Sequence, residues 1–489
     1  PPFNSVPLTQ DANMAGAIEV HSGATAGHDE RLSASVLEPL VDRRIIYAWG
    51  LAALFWVTWG PWAGFFTSLK FNFPWLLGDW FATLYGPMRI SHTQGVAYGW
   101  FSTGSIAFAH YMVPKLCSRP LWKPGLSWAG VILWNVGMVL GIGGVHLGFN
   151  QGLEFAEMNL LADVFITLGL SATLTNLFMT IANRREPKIY VSLWYLMAGM
   201  TWTAINYIVG NFVAALPNST GANSAAMNGF FLHNVVGLWV TPMGASIAYY
   251  LLPVTTRNPL YSHKLSMIGF WALAFFYPFT GAHHYLFSPI PDWVETIAIV
   301  SSLMLIVPVW TVLANFWGTL KGRWDLFANT VVVKFLVLGA VYYLTTCFQG
   351  PTQALRALQP VIHFTDYVVG HAHLALFGVF SLWTMAAFYY MIPKLAGREV
   401  YSVGLARLNF WLTFFGFLFM ALILWIAGIV QGHMLINNTD WPDTLDVLGF
   451  YWHIRTIGGF LMDVGMLCFA YNIIATMFWG KPSANPRLV

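Results

Sequence analysis

Apolar residues run through this chain in blocks of about 20, the length a helix needs to cross roughly 30 Å of hydrocarbon at about 1.5 Å per residue. The blocks predict twelve membrane-spanning helices, near 45–69, 92–113, 127–148, 160–182, 191–216, 229–252, 265–287, 296–319, 327–348, 367–392, 408–432 and 456–479. Of the 489 residues, 57% are hydrophobic and only 9% charged, which is more apolar side chain than a water-soluble core can hide. The expected fold class is therefore an all-α integral membrane protein, a twelve-transmembrane-helix bundle over residues 43–480. A polar tail over 1–42, rich in Ala, Ser and Gly and lacking the apolar core of a signal peptide, is expected before it, and a short cytoplasmic tail over 481–489 after it.

Charge adds an orientation. Of the 23 Lys and Arg, eighteen fall in alternate connections, from Arg31, Arg43 and Arg44 before the first span to Lys481 and Arg487 after the last. Lys70, Arg89, Arg356 and Arg455 fall on the opposite side, and Lys334 lies within a span. The positive-inside bias then puts both termini in the cytoplasm and makes even-numbered spans run from outside to inside. A net charge of +3 with no long basic run excludes a nucleic-acid grip. Cys117, Cys347 and Cys468 are too scattered for a disulfide framework, a CxxC metal site or an attached c-type haem, so any metal must rest on other ligands.

Those ligands are legible as histidines. Six of the fourteen fall within predicted spans: His92 opening the second, His233 opening the sixth, His283 and His284 closing the seventh, and His371 and His373 opening the tenth. With the orientation above, all six project from the outer third of the membrane. Ionisable groups there are costly and are functional candidates by default, so six at one level imply a metal layer. His92 alone is equally consistent with a hydrogen bond to a neighbouring helix. The adjacent pair His283 and His284 is suited to grasp one ion where a helix end bends. His371 and His373 are about 200° apart around a helix, so they face opposite sides and can meet two different planar cofactors. Histidine on both faces of a haem makes an electron carrier, whereas a single histidine leaves the other face free for oxygen.

Four segments carry a family resemblance: Gly-His-Ala-His from Gly370 to His373, Thr280 to Tyr285 (TGAHHY), His233 to Trp239 (HNVVGLW) and Ile90 to Trp100 (ISHTQGVAYGW). Over about residues 43 to 480 the chain resembles the catalytic subunit I of the haem-copper oxidase superfamily, and within it the C-family, the cbb-type cytochrome c oxidases. The resemblance implies a bundle of the haem-copper oxidase subunit I type in a bacterial inner membrane, reducing oxygen to water. It implies that His92 and His373 are the axial ligands of a low-spin haem b, that His371 is the proximal ligand of a high-spin haem b, and that His233, His283 and His284 hold copper B. Tyr277, otherwise read as a core tyrosine, matches a C-family position linked covalently to the copper ligand that corresponds to His233. Other oxidase families place that tyrosine four residues after the histidine of the sixth span, where this chain has Gly237. Nitric oxide reductases of the same superfamily, the main alternative, typically carry a glutamate at that place beside a non-haem iron and lack the tyrosine. One departure stands out: C-family members usually read Phe-Glu-Gly-Pro near the outer end of the ninth span, and this chain reads Phe348-Gln349-Gly350-Pro351.

Proton supply has to cross hydrocarbon through polar side chains or trapped water. Tyr249, Ser266 and Tyr343 match C-family proton-path positions, although each hydroxyl is also suited simply to bond its own helix backbone. Arg455, one of few basic residues on the outer side, is assigned to the haem propionates against the alternative of an ordinary surface arginine. Glu154 and Glu157 lie at the same level; the resemblance makes Glu154 a candidate calcium ligand, and two nearby carboxylates also suit a solvated loop. The chain has no haem-attachment or Cys-rich copper motif, so electrons are expected from another polypeptide, and the resemblance implies membrane-anchored cytochrome c subunits on the outer face. A twelve-span secondary transporter is the remote alternative; such proteins usually carry inverted repeats, and no internal repeat is visible in the sequence.

Overall fold

The computed structural model describes residues 40–483; the parts of the expected tails over 1–39 and 484–489 lie outside the described residues. What it describes is helical, with no strands beyond one isolated bridge between Arg398 and Pro482. In chain order the long helices are α1 (Arg43–Asn72), α2 (85–116), α3 (Pro124–His146), α4 (Leu160–Ala182), α5 (191–213) and α6 (Gly221–Thr256). They continue as α7 (His263–Tyr285), α8 (Asp292–Leu320), α9 (Val331–Gln353), α10 (Asp366–Ala396), α11 (Val403–Ile436) and α12 (Trp441–Phe478). Among the described residues nine of these are long and apolar enough to cross a membrane. The other three, α1, α2 and α5, coincide with predicted spans but are rich in Trp, Gly, Ser, Thr and Asn, which dilutes their apolar character.

Local chemistry sets the helix starts. Asp42 accepts from the backbone N–H of Arg44 at 2.9 Å, Ser262 from Leu265 and Ser402 from Leu405 at 3.2 Å each, and Asn159 from Ala162 at 3.1 Å, each answering an N–H that the first helical turn leaves over. Packing uses small residues inside and large ones outside, the arrangement expected where lipid covers the exterior. On α11, Phe415, Phe419, Leu422, Ile426 and Ile429 are exposed while Gly416 and Gly428 are buried. Gly416 lies so close to Gly458 of α12 that a Cβ on either would sit 2.7 Å from the carbonyl oxygen of the other.

An internal repeat runs through the fold, contrary to the reading of the sequence. The backbone N–H groups of Trp122 and Lys123 donate to Thr180 and Asn176; those of Tyr261 and Ser262 donate to Thr319 and Asn315; those of Tyr401 and Ser402 donate to Thr476 and Asn472. In each unit an Asn and a Thr four residues apart near a helix end cap the start of another helix. The helices that precede these units, α2, α6 and α10, meet at one point: Tyr111, Tyr250 and Tyr390 form a triangle of edge-on rings with centroids 6.4, 6.2 and 6.4 Å apart. Each of the three also contains a π-helical stretch, Gly95–Ser102, Val235–Val240 and Leu374–Ser381. At its end a hydroxyl, from Ser102, Thr241 or Ser381, donates to the carbonyl five residues back at 2.8, 3.0 and 3.0 Å, bonding a carbonyl in the widened turn. The copies share a Tyr-x-x-Pro segment (Tyr111 to Pro114, Tyr250 to Pro253, Tyr390 to Pro393) and an Asn-x-x-x-Thr segment (Asn176 to Thr180, Asn315 to Thr319, Asn472 to Thr476), short signals set far apart along the chain. All three units run in the same chain direction, which is not the inverted arrangement usual in transporters.

Candidate metal centre

Every one of the six histidines lies just before a π stretch or in a helix end that has tightened. His92 and His233 precede the π stretches of α2 and α6 by a few residues, and His373 immediately precedes that of α10. The end of α7 is wound as short 3₁₀ turns, Tyr277–Phe279 and Gly281–Tyr285, rather than α-helix, and this is where His283 and His284 sit. Such irregular turns recur at functional sites because they turn side chains off the helical register.

His233, His283 and His284 offer ligand atoms that all lie within 4.8 Å of one another, the one such group of three or more His, Cys, Asp or Glu among the described residues. Their ring centroids are 4.5, 4.6 and 5.2 Å apart. Bonds of about 2 Å to a shared ion place nitrogens at most about 4 Å apart, so the group closes on an ion with about an ångström of side-chain movement. His92 and His373 face each other separately, with centroids 5.9 Å apart and ring planes within 17°. Two rings that each bind one ion through a nitrogen about 2 Å away, with each ring centre about 1 Å further back, would be about 6 Å apart. His371, two residues before His373, lies within electrostatic reach of His233, His283 and His284 instead.

The hydrogen bonds behind these rings fix their tautomers. His92 Nδ1 faces the Gly60 carbonyl at 2.9 Å and His373 Nδ1 faces the Val369 carbonyl at 2.8 Å; carbonyls only accept, so both Nδ1 atoms carry the proton. His233 Nδ1 meets the Thr280 hydroxyl at 2.8 Å, and that hydroxyl's proton goes to the Tyr277 carbonyl. His283 Nδ1 meets the Ser302 hydroxyl at 2.6 Å, whose proton goes to the Ala298 carbonyl. Those two histidines therefore also donate from Nδ1. In all four the unprotonated Nε2 is left as the ligand atom, the arrangement that orients metal-binding imidazoles.

Tyr277 and Gly237 form one unit. The Tyr277 ring lies 5.0 Å from that of His233, centroid to centroid. A Cβ built on Gly237 would fall 1.6 Å from Tyr277 Cε1, so the tyrosine occupies the space that any side chain at 237 would need. A glutamate there is incompatible with this tyrosine position. Gly237→Ala is expected to lower thermal stability by about 1–3 kcal/mol and to weaken metal binding, because overpacking at this contact has to displace the ring; an unchanged melting midpoint and metal content would contradict the geometry.

Deeper in the bundle, the structure brings together two of the three proton-path candidates. Tyr343 lies within electrostatic reach of both Tyr249 and Tyr277. The Tyr249 hydroxyl accepts from Asn315 Nδ2 at 3.3 Å, and a cavity of about 10 Å³, room for one water, adjoins both. Tyr195 stacks on Tyr249 at 5.5 Å. Asn315 and Tyr195 were missed in the sequence, where nothing distinguishes them from helix-packing residues. Ser266 behaves differently: its hydroxyl donates to the His263 carbonyl of its own helix at 2.7 Å.

On the outer side Arg455 is mostly buried, lies over the Phe71 ring at 4.6 Å, and reaches His92 and His373 electrostatically. It already has a partner, Asp366 at 3.5 Å, which also accepts from Trp452 Nε1 at 2.7 Å. Glu154 is ion-paired to Arg89, which also lies 3.7 Å from Glu157. Burial pushes the Glu157 carboxyl above the usual carboxylate range, and the Gln94 amide and Arg89 guanidinium pull it back in part. Arg89 thus places a positive charge between the two carboxylates.

Comparison with known proteins agrees in kind. The family model for cytochrome C and quinol oxidase polypeptide I matches residues 44–461. A cytochrome c oxidase subunit 1 homolog of Agrobacterium tumefaciens is 32% identical over 87% of this chain and 82% of its own length. The Cbb3-type cytochrome c oxidase subunit CcoN1 of Stutzerimonas stutzeri is 30% identical over 90% of this chain and 96% of its own length. A solved structure of a heme-copper terminal oxidase dimer superposes with a TM-score of 0.77 over 92% of this chain and 86% of that one, at 18% identity, so it shows a shared fold.

Proposed function

The chain belongs to the cytochrome c and quinol oxidase polypeptide I family of oxidoreductases, and from that premise we propose that it is the catalytic subunit of a respiratory oxidase that reduces O2 to water. In this reading His92 and His373 hold a low-spin haem b, His371 a high-spin haem b, and His233, His283 and His284 copper B. The observation that carries it is the pair of imidazole sets, one facing pair 5.9 Å apart and one triad within 4.8 Å, with the ring protons of His92, His373, His233 and His283 turned away from the gaps. When bound, the haems pass electrons inward and, with the copper, offer them to oxygen. Everything else falls to the chain's own side chains.

Tyr277 holds a proton at its hydroxyl beside His233, where it can be given up as oxygen is reduced; the C-family tyrosine that it matches is joined covalently to the copper ligand corresponding to His233. Tyr249 and Tyr343 carry protons inward from the cytoplasmic side through hydroxyl groups and the water-sized cavity at Asn315. Ser266 belongs to this path only if its hydroxyl leaves the His263 carbonyl. Arg455 answers propionate charge together with its hold on Asp366. A calcium at Glu154 would share its carboxylate with Arg89. The reading includes twelve spans with both termini in the cytoplasm, a bacterial inner membrane, and membrane-anchored cytochrome c subunits as electron donors on the outer side.

The packing of Tyr277 against Gly237 favours oxygen over nitric oxide as substrate, because a reductase's glutamate has no room at 237. The purified complex is expected to consume oxygen with reduced cytochrome c and to contain about one copper per chain. Non-haem iron in place of that copper, with turnover of nitric oxide instead of oxygen, would overturn this reading.

A further inference from the structure

His371 leans on a different kind of group from the other histidines of the layer. Its Nδ1 faces Gln349 Oε1 of α9 at 3.3 Å, whereas His92 and His373 meet backbone carbonyls and His233 and His283 meet hydroxyls. An amide oxygen only accepts, so the imidazole donates its N–H to a neutral group. The next residue leaves room beside the ring: a Cβ built on Gly350 would only just reach it, at 3.7 Å from His371 Cε1 and 3.9 Å from Nε2. Gln349 therefore holds the ring from its Nδ1 edge through one hydrogen bond.

The acceptor behind a metal-bound imidazole tunes the metal. Donating to an anion pushes electron density into the ring, makes it a stronger ligand and favours the oxidised metal; donating to a neutral amide does so less. We propose that Gln349 is a positioning residue that keeps His371 a neutral imidazole and sets the reduction potential of the high-spin haem above the value a carboxylate at this place would give. This rests on His371 being a haem ligand. It gives the neutral amide at position 349 a consequence: the high-spin haem draws electrons from the low-spin haem more strongly than it would with a glutamate behind its ligand.

The test is a redox titration and a resonance Raman spectrum of the ferrous high-spin haem in the whole complex, for the wild type, Gln349→Glu and Gln349→Met, at alkaline pH so that the introduced carboxyl is ionised. Gln349→Glu is expected to shift electron sharing between the two haems at least about tenfold toward the low-spin haem, 59 mV for a one-electron couple, and to raise the iron–histidine stretching frequency. Gln349→Met, which keeps the bulk but removes the acceptor, is expected to lower that frequency. The low-spin haem, whose ligands lean on Gly60 and Val369, is expected to keep its potential in both. An unchanged potential and frequency in Gln349→Glu would overturn the proposal. So would loss of the high-spin haem from both variants, which would leave Gln349 a purely structural support. A wild-type protein without a high-spin haem would instead refute the haem reading itself, and the two failures are told apart by the wild-type spectrum.

Discussion

Tyr277→Phe is expected to bind both haems and copper at wild-type levels and yet to lose at least about 100-fold in oxygen reduction, the low end of what a positioned proton donor contributes. The substitution removes one oxygen atom and leaves the ring, so the contact with Gly237 and the 5.0 Å approach to His233 are kept. The Thr280 hydroxyl that orients His233 bonds the backbone carbonyl of residue 277, which the substitution does not touch. What disappears is the proton and the oxidisable phenol beside the metal triad, and any covalent link to His233 with them. Oxygen consumption by the purified variant, alongside its absorption spectrum and copper content, checks this. Turnover within a few-fold of wild type would remove the tyrosine from the chemistry.

His373→Ala is expected to have the second of the two largest effects, on a different observable. It deletes one side of the pair with His92 and leaves His92 still held by Gly60 but without a partner across the gap. The low-spin haem signal should be lost or become high-spin, and electron delivery from cytochrome c should fall to background, while the triad of His233, His283 and His284 keeps its copper. His92→Ala should give the same spectral change from the opposite face. A spectrum unaffected by His373→Ala would remove this residue from haem ligation.

Much of this site was legible because membrane spans restrict the places where polar groups can go. Six imidazoles at one predicted depth are conspicuous against hydrocarbon, and the structure gathers them into the facing pair His92 and His373, the triad, and His371 beside that triad. Tyr277 stood out only by resemblance. In the structure the 3₁₀ turns at the end of α7 set its ring beside His233, at 5.0 Å between centroids. The three π stretches left no mark in the sequence, because an extra residue in a turn changes neither composition nor mean apolarity. The Asn and Thr caps of the threefold repeat, such as Asn315 and Thr319, join segments more than fifty residues apart, so their four-residue spacing does not by itself point to a partner. For the same reason Thr280 and Ser302 could not be picked out as the groups that turn the histidine protons away. Gln349 is conspicuous as a departure from the family, but nothing in the sequence places its amide against His371.

In the proposed reading this chain clamps one haem from both faces and holds another from one face only. The most direct measurement is the absorption spectrum of the reduced, purified protein before and after carbon monoxide. Two haem b per chain are expected, of which only the one held by His371 alone shifts on adding carbon monoxide, since the one between His92 and His373 has no free face. A protein without a Soret band, or one in which both haems or neither respond, would contradict it.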